Sequence, residues 1–259
     1  MISLFVSNLI VAQKDDSLLL IREFISIANR YKQPPFHLSL AYTSSTNIVL
    51  DESDSASTKA EFYVTDNNSY TRFGEMEQLV SDSIALLISD KLQRIFVYKD
   101  ARGITDQMKK MMSLSLPDSS VLHIAGKFSI NKSIAGDSTS LRLQSRSTIY
   151  STSLPKEIIS ITYNGDTKQP YRVEQVRREL IRLDDNSADS TNIPRNITIV
   201  RNDNGVFAVQ ERKMVFSYAL IEYGKTLKTP VIIADRIVKN ESGEFVPAKG
   251  YENYTVTQD

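Results

Sequence analysis

The sequence offers only two histidines, His37 and His123, as general bases with a pKa near neutrality. Each lies inside an apolar run, Phe36-His37-Leu38 and Leu122-His123-Ile124. A Ser–His–acid site would need one of them as its base, but the sequence contains no Gly-x-Ser-x-Gly turn to present a nucleophile. We therefore interpret both as hydrogen-bonded histidines of half-buried strands and predict no catalytic residue.

Acidic residues offer two other kinds of site. Four carboxylates lie close together in one polar stretch: Asp51, Glu52, Asp54 and Glu61. They could bind Mg²⁺ or Ca²⁺, but they lack the glycine and the final glutamate of a calcium loop. The tripeptide at 211–213 has the Glu-x-Lys form of many nucleases, with Asp203 as its nearest candidate partner. We interpret the first as a solvated loop and the second as a chance match, and predict no metal site.

Other reactive groups are excluded by composition. The chain has no cysteine, so it has no thiolate nucleophile, no disulfide and no cysteine-based metal site. Its nine glycines are not grouped as a phosphate-binding loop. The sequence therefore predicts a protein without a cofactor that is not an enzyme.

Basic residues gather around the stretch 170–183, where an aromatic residue accompanies them. The set comprises Lys127, Arg142, Arg146, Tyr171, Arg172, Arg177, Arg178 and Arg182. Such a surface could contact phosphates while the ring stacks on a base. Ion pairing along a helix would explain the same pattern, because Glu174 precedes Arg178 by four residues. Binding of RNA or single-stranded DNA by a helix over 170–183 is the alternative function.

Charge is balanced overall but uneven along the chain. With 31 basic and 31 acidic residues, the whole surface should not attract nucleic acid. Residues 51–90 hold nine acidic and two basic side chains, whereas residues 127–182 hold ten basic and five acidic ones. Opposed segments favour head-to-tail contacts between copies, or contacts with other protein subunits.

The elements that position these groups are predicted to form an α+β fold in two parts. Residues 1–116 are predicted as a helix-on-sheet subdomain, with a strand over 2–12 and a helix over 16–31. Apolar residues at three- and four-residue steps predict a second helix over 76–88, followed by a strand at 95–98. A short helix is predicted over 105–112.

Residues 117–259 are predicted as a β-rich subdomain with one amphipathic helix, over 170–183. Pro170 fits the first turn of that helix. Strands are predicted over 121–130, 140–151 and 157–163, and a polar linker over 184–195. The turn at Asp203-Asn204-Gly205 predicts a hairpin, because Asn and Gly tolerate positive φ.

Composition suggests the setting. The chain is rich in Ser, Asn, Thr and Ile, and it has no Trp or Cys, which is similar to the products of AT-rich bacteriophage genomes. No apolar run approaches the ~18–20 residues of a membrane span, and the apolar N-terminus lacks the basic start of a signal peptide. We predict a non-enzymatic structural protein, cytoplasmic at synthesis and without a membrane partner. It would be a subunit of a larger oligomeric complex of virion or tail type, in contact with itself or other protein subunits.

Overall fold

The computed structural model describes residues 3–29, 35–50, 54–99, 101, 120–183, 197–224 and 226–258, and in the first helix it describes side chains from residue 16 onward. Among the described residues, strands far outnumber helices. The fold is therefore β-rich, and the predicted α+β class is wrong. The helix predicted over 105–112, the linker over 184–195, and Asp51 and Glu52 lie outside the described residues.

The described residues form two α-helices, one short 3₁₀ helix and fifteen strands. The helices are α1 (Ser3–Asn29), α2 (Ser120–Lys127) and the 3₁₀ helix Ile233–Asp235. The first strands are β1 (Phe36–Thr46), β2 (Ala56–Val64), β3 (Ser69–Phe73), β4 (Met76–Val80), β5 (Ala85–Ser89), β6 (Arg94–Tyr98), β7 (Phe128–Ala135) and β8 (Ser138–Ser145). The others are β9 (Glu157–Asn164), β10 (Pro170–Leu183), β11 (Ile199–Asn202), β12 (Gly205–Tyr223), β13 (Ile237–Lys239), β14 (Phe245–Pro247) and β15 (Thr255–Gln258).

Thirteen of these strands pair into a sheet, and β13 and β14 form a separate hairpin. The chain divides into two compact units. Unit 1 comprises residues 1–28, 42–57 and 116–217, and unit 2 comprises residues 29–41, 58–115 and 218–259. Strands β1 and β12 each contribute residues to both units. The predicted division at 116/117 stays a prediction.

In unit 1, strands β12, β10, β9, β8 and β7 are neighbours in that order. Helix α1 packs on one face of this part of the sheet, where Ile21 and Phe24 join a cluster that includes Leu141 and Ile161. Glu23 of α1 anchors the helix, because the Tyr163 hydroxyl donates to its carboxylate at 2.7 Å. Lys132 Nζ donates to the same carboxylate at 2.8 Å.

In unit 2, strands β15, β6, β5, β4, β3 and β2 are neighbours in that order, and β15 runs parallel to β6. Tyr70, Leu79, Ile88 and Ile95 belong to one buried cluster. The buried carboxylate of Glu77 accepts from Arg236 Nε at 2.6 Å and from the Tyr70 hydroxyl at 2.9 Å. A charge is thus tolerated in this core because two donors hold it.

The helix predicted over 76–88 is wrong. Strands β4 and β5 occupy this stretch and pair antiparallel, with Val80 opposite Ala85. The turn between them is closed by Ser81, whose hydroxyl donates to the Ile84 carbonyl at 3.1 Å. Residues on both sides of the hairpin are buried: Leu79 joins one cluster and Val80 another. Burial on both faces removes the alternation typical of a strand, which is why the pattern resembled a helix.

The helix predicted over 170–183 is also wrong, because this stretch is strand β10, paired antiparallel with β9 and β12. The strand predicted over 2–12 is part of helix α1, whereas the helix predicted from residue 16 is confirmed up to Asn29. The predicted strand over 121–130 begins as helix α2 and becomes β7 at Phe128. The strand over 157–163 and the hairpin turn before Gly205 are confirmed.

Candidate functional site

Four cations of unit 1 lie side by side, three of them next to the ends of β7, β8 and β9 and the fourth partway along β10. We call Lys127, Arg146, Lys156 and Arg178 the basic row. Backbone hydrogen bonds fix their order: Arg146 N–H donates to the Lys127 carbonyl at 2.8 Å, and Arg178 N–H donates to the Lys156 carbonyl at 2.8 Å. Lys156 N–H donates to the carbonyl of Ser147, the residue after Arg146, at 2.9 Å. Because neighbouring strands are about 4.8 Å apart, the row spans roughly 15 Å.

Strand register explains this alignment. In the β7–β8 hairpin Phe128 faces Ser145, so Lys127 and Arg146 are the next pair. In the β9–β10 pair Glu157 faces Arg177, so Lys156 and Arg178 follow in the same way. Lys127, Arg146 and Lys156 thus lie just beyond regular pairings, whereas Arg178 lies within β10 and faces Glu211 of β12.

The basic row is mostly solvent-facing and unneutralised. Lys127, Arg146 and Lys156 are exposed, and among the described residues none of them forms an ion pair. Arg178 differs, because its side chain is only 12% exposed and contacts Glu211 at 2.7 Å. Its Nη1 also donates to the Pro155 carbonyl at 2.9 Å. Like charges facing each other across neighbouring strands cost roughly 0.2–1 kcal/mol per pair, so repulsion among the three exposed cations destabilises the sheet slightly.

A fixed loop carries an aromatic ring beside the basic row. It joins Arg146 to Lys156 and is closed by a bridge between Thr148 and Pro155. Ile149 is buried in a cluster with Val200 and Val209, and this packing holds the loop against β11 and β12. Tyr150, the next residue, is 62% exposed.

The structure brings together only some of the basic residues that the sequence grouped. Lys127, Arg146 and Arg178 meet in the basic row. Arg142 lies four residues before Arg146 on β8, about 13 Å away at 3.3 Å per residue, and it is exposed. Its register neighbours are the polar residues Asn131 and Ser160.

The remaining predicted residues lie apart from the row. Arg172 pairs with Glu174 at 3.0 Å. Arg177 pairs with Glu157 at 3.1 Å, and it lies on the same face of β10 as Val173, which packs against the α1 cluster.

Two further predicted residues lie at the ends of β10. Tyr171 hydrogen-bonds Ser138 through their hydroxyls, at the end of β10 far from the row. Arg182 lies at the opposite end, exposed and next to the Gly205 turn. A helix would have placed these residues together, but a strand spreads them over its length and both of its faces.

Sequence reasoning missed two residues of this site, Lys156 and Tyr150. Lys156 could have been found from the predicted strand over 157–163, because antiparallel pairing places the residue before that strand beside the preceding and following strands. No sequence signal indicated that Tyr150 would be exposed, since it lay within a predicted strand.

The structure places the two histidines in different surroundings. His37 lies in β1 and is buried, with Nδ1 at 3.1 Å from Glu222 and Nε2 at 3.0 Å from Glu61. Its ring stacks on Tyr63 at 3.8 Å between centroids. Both ring nitrogens are thus occupied by carboxylates. His123 lies on helix α2 and is exposed, not in the predicted strand.

The Glu-x-Lys tripeptide is occupied by ion pairs. Glu211 pairs with Arg178, and Lys213 pairs with Glu174 at 2.9 Å. Arg212 pairs with Asp54 at 3.0 Å. Within the described ranges, no group of three or more His, Asp or Glu side chains is placed to hold a metal ion. Nor does any helix there combine the length and the apolar character needed to cross a membrane.

Comparisons with known proteins assign no family. No family model and no curated protein matches the chain. A LolA superfamily protein from Nitrosomonas europaea is similar over 80% of this chain and 94% of its own length, with 10% identity and a TM-score of 0.26. Lipovitellin, in a structure of its lipid–protein interactions, is similar over 78% of this chain, which spans only 27% of that protein, with 9% identity and a TM-score of 0.35. Both TM-scores are below 0.5, so neither likeness bears on the fold or the function of this chain.

Proposed function

We propose that this chain is a non-enzymatic subunit of a larger assembly that docks onto an anionic partner through the basic row. The observation that supports this proposal is the alignment of Lys127, Arg146 and Lys156, all exposed and without an ion pair among the described residues. Repulsion among them is relieved when one anionic partner contacts all three. Because backbone hydrogen bonds tie these three positions to one another, little backbone ordering is needed on binding.

Local charge, not net charge, drives this docking. Unit 1 holds 16 basic and 17 acidic residues, and unit 2 holds 15 and 14. The uneven segments of the sequence therefore do not become oppositely charged units. Attraction of an anionic partner should accordingly be confined to the basic row and should weaken steeply with salt.

Unit 2 carries a surface suited to contacts with protein subunits. Phe73, Met76 and Leu92 are 42%, 38% and 62% exposed, and we call them the apolar tip. They lie at the ends of adjacent strands, because Phe73 pairs with Met76 and Met76 pairs with Ser89. Leu92 N–H in turn donates to the Ser89 hydroxyl at 3.2 Å. Grouped exposed apolar side chains mark protein contact sites. The virion or tail-type setting rests on composition and stays a prediction.

Charge reversal of the basic row tests the proposal. The row variant combines Lys127→Glu, Arg146→Glu and Lys156→Glu. A matched control reverses three exposed lysines elsewhere: Lys59, Lys228 and Lys249. Both variants change the net charge equally, so a difference between them reports position. The assay is retention on immobilised heparin, a polyanion, measured as the salt concentration at elution.

We expect the wild type and the control variant to elute at similar salt, and the row variant to elute much earlier. Equal elution of all three proteins would contradict docking through this row. Circular dichroism melts of the same samples verify that each variant is folded.

A further inference from the structure

We propose that the basic row and Tyr150 together form a binding site for single-stranded nucleic acid. This inference rests on the proposed function, because it names the chemical class of the anionic partner. Exposed cations alone attract any polyanion. An exposed aromatic ring near them adds a stacking surface for an unstacked base.

Hydrogen bonds hold the backbone of the loop on either side of Tyr150. Ile149 N–H donates to the Leu154 carbonyl at 2.8 Å, and Thr152 N–H donates to the Ile149 carbonyl at 3.0 Å. The Thr152 hydroxyl donates to the same carbonyl at 2.9 Å. The turn is thus closed by hydrogen bonds on both sides of Tyr150. The buried side chain of Ile149 also packs this loop against the rest of unit 1. Because this backbone is already ordered, little further ordering of the loop is needed when a base stacks on the ring.

The position of the ring suits a nucleotide held at the row. The loop starts from the row, because Ser147 and Lys156 are backbone partners there. Tyr150 is three residues beyond Ser147, so its Cα lies within about 10 Å of the row at ~3.3 Å per residue. A phosphate on Arg146 or Lys156 would therefore leave its base within reach of the ring. Arg142, about 13 Å along β8, continues the cationic path in one direction.

Two other anionic partners fit these observations less well. An acidic protein segment would use the cations, but its carboxylates supply no ring to stack on Tyr150. In a duplex the bases are already stacked and paired, so the ring contributes nothing and only the phosphates are contacted. The combination of three exposed cations with one exposed ring favours a single strand.

Fluorescence anisotropy with a labelled oligothymidylate of about 15 nucleotides tests the inference, since single-strand sites take roughly 4–16 nucleotides. Tyr150→Leu should weaken binding by roughly 5- to 150-fold, the loss expected for one stacked base. Tyr150→Phe should retain the affinity, because the ring is kept. Tyr171→Leu is the matched control, since Tyr171 is 42% exposed and lies at the far end of β10.

Salt dependence separates the two parts of the site. Tyr150→Leu should leave the slope of log affinity against log salt concentration unchanged. The row variant removes three cations, so it should flatten this slope by about 2, at roughly 0.7 for each lost phosphate contact. A slope change caused by Tyr150→Leu would argue against a stacking role.

The outcomes distinguish this inference from the proposed function. If Tyr150→Leu binds oligothymidylate like the wild type while the row variant loses both heparin and oligothymidylate, the inference is overturned and the proposed function stands. The inference is also overturned if polyglutamate displaces oligothymidylate as effectively, per charge, as unlabelled oligothymidylate does. If the row variant binds heparin and oligothymidylate like the wild type, both proposals fail.

Discussion

Replacing Glu77 with glutamine should destabilise unit 2 strongly, because Glu77 is a buried charge held by a buried partner. Only 2% of the surface of Glu77 is exposed to solvent. Arg236 contacts both carboxylate oxygens, with Nε at 2.6 Å from Oε2 and Nη2 at 3.0 Å from Oε1. The Arg236 side chain is itself only 13% exposed. Glutamine keeps the shape of the side chain but leaves the guanidinium without a counter-charge.

The size of the effect follows from this geometry. Breaking a buried ion pair by removing one partner costs about 3–5 kcal/mol. Glutamine still offers one carbonyl acceptor, so we expect the lower end, about 3 kcal/mol. In a protein of this size each kcal/mol lowers the melting temperature by about 2–4 °C, so Glu77→Gln should melt roughly 6–12 °C below the wild type. Glu75→Gln, an exposed change in the adjacent turn, is the matched control and should melt like the wild type.

The effect should depend on pH with a defined sign. Burial acts to raise the pKa of Glu77, but hydrogen bonds from Arg236 and Tyr70 and the nearby positive charges outweigh it, so this pKa lies below its ordinary value of 4.5. A carboxyl with a lowered pKa stabilises the folded state fully above the unfolded pKa and loses that contribution as pH falls through the folded value. The gap between wild type and Glu77→Gln should therefore be constant above about pH 5 and shrink at lower pH.

Melting curves followed by circular dichroism across this pH range provide the measurement. The reasoning is refuted if Glu77→Gln melts within 2 °C of Glu75→Gln at neutral pH, with ~2 °C corresponding to under 1 kcal/mol. It is also refuted if the gap widens as the pH falls.

Two further predictions concern positions in the two units. The pKa of Tyr163 is raised because burial and the Glu23 carboxylate both disfavour the tyrosinate. In an alkaline absorbance titration, Tyr163 should therefore ionise only when the protein unfolds. Glu23→Gln should lower the free energy of unfolding, measured by urea denaturation, by about 1–3 kcal/mol. Gly74→Ala should be more destabilising than Gly243→Ala, although both glycines have positive φ, of 59° and 82°. An added Cβ at Gly74 meets Thr58 Oγ1 at 2.8 Å, whereas at Gly243 nothing lies within 4 Å. We expect about 1–2 kcal/mol of backbone strain at either glycine and an additional clash only at Gly74, which Thr58→Ala should relieve in a denaturation experiment.

Sequence reasoning succeeded where local chemistry alone decides the structure. The turn before Gly205 was predictable because a residue with φ of 127° is needed there, and few residues other than glycine adopt it. The strand that became β9 was predictable because its residues are β-branched and apolar. Helix α1 was predictable from residue 16 onward because its apolar residues recur with the usual helical period, and this apolar side packs on the sheet.

It failed where pairing partners distant in sequence decide the structure. Strand β10 has apolar residues at 173, 176, 180 and 183, a spacing that fits a helix. The strand forms because β9 and β12 pair with it along both of its sides, and no local pattern shows this. Choosing a helix there also grouped the arginines of β10 on one surface, whereas alternation puts Arg177 on the face opposite Arg178. Sequence reasoning therefore named three of the four cations of the basic row, whereas Lys156 and Tyr150 join them only through register, and a binding role for these residues stays a prediction.

The way in which the two units share the chain limits how this protein can be dissected. Each unit is assembled from three separate stretches of the polypeptide, so a single truncation point cannot release either unit intact. A fragment without residues 3–29 loses helix α1 from unit 1, and a fragment without residues 255–258 loses β15 from unit 2. During synthesis, residues 1–28 cannot pack into their unit until residues 116–217 have been made. Contacts between segments so distant in sequence favour slow, late folding. Functional mapping of this protein should therefore use point substitutions in the intact chain rather than fragments.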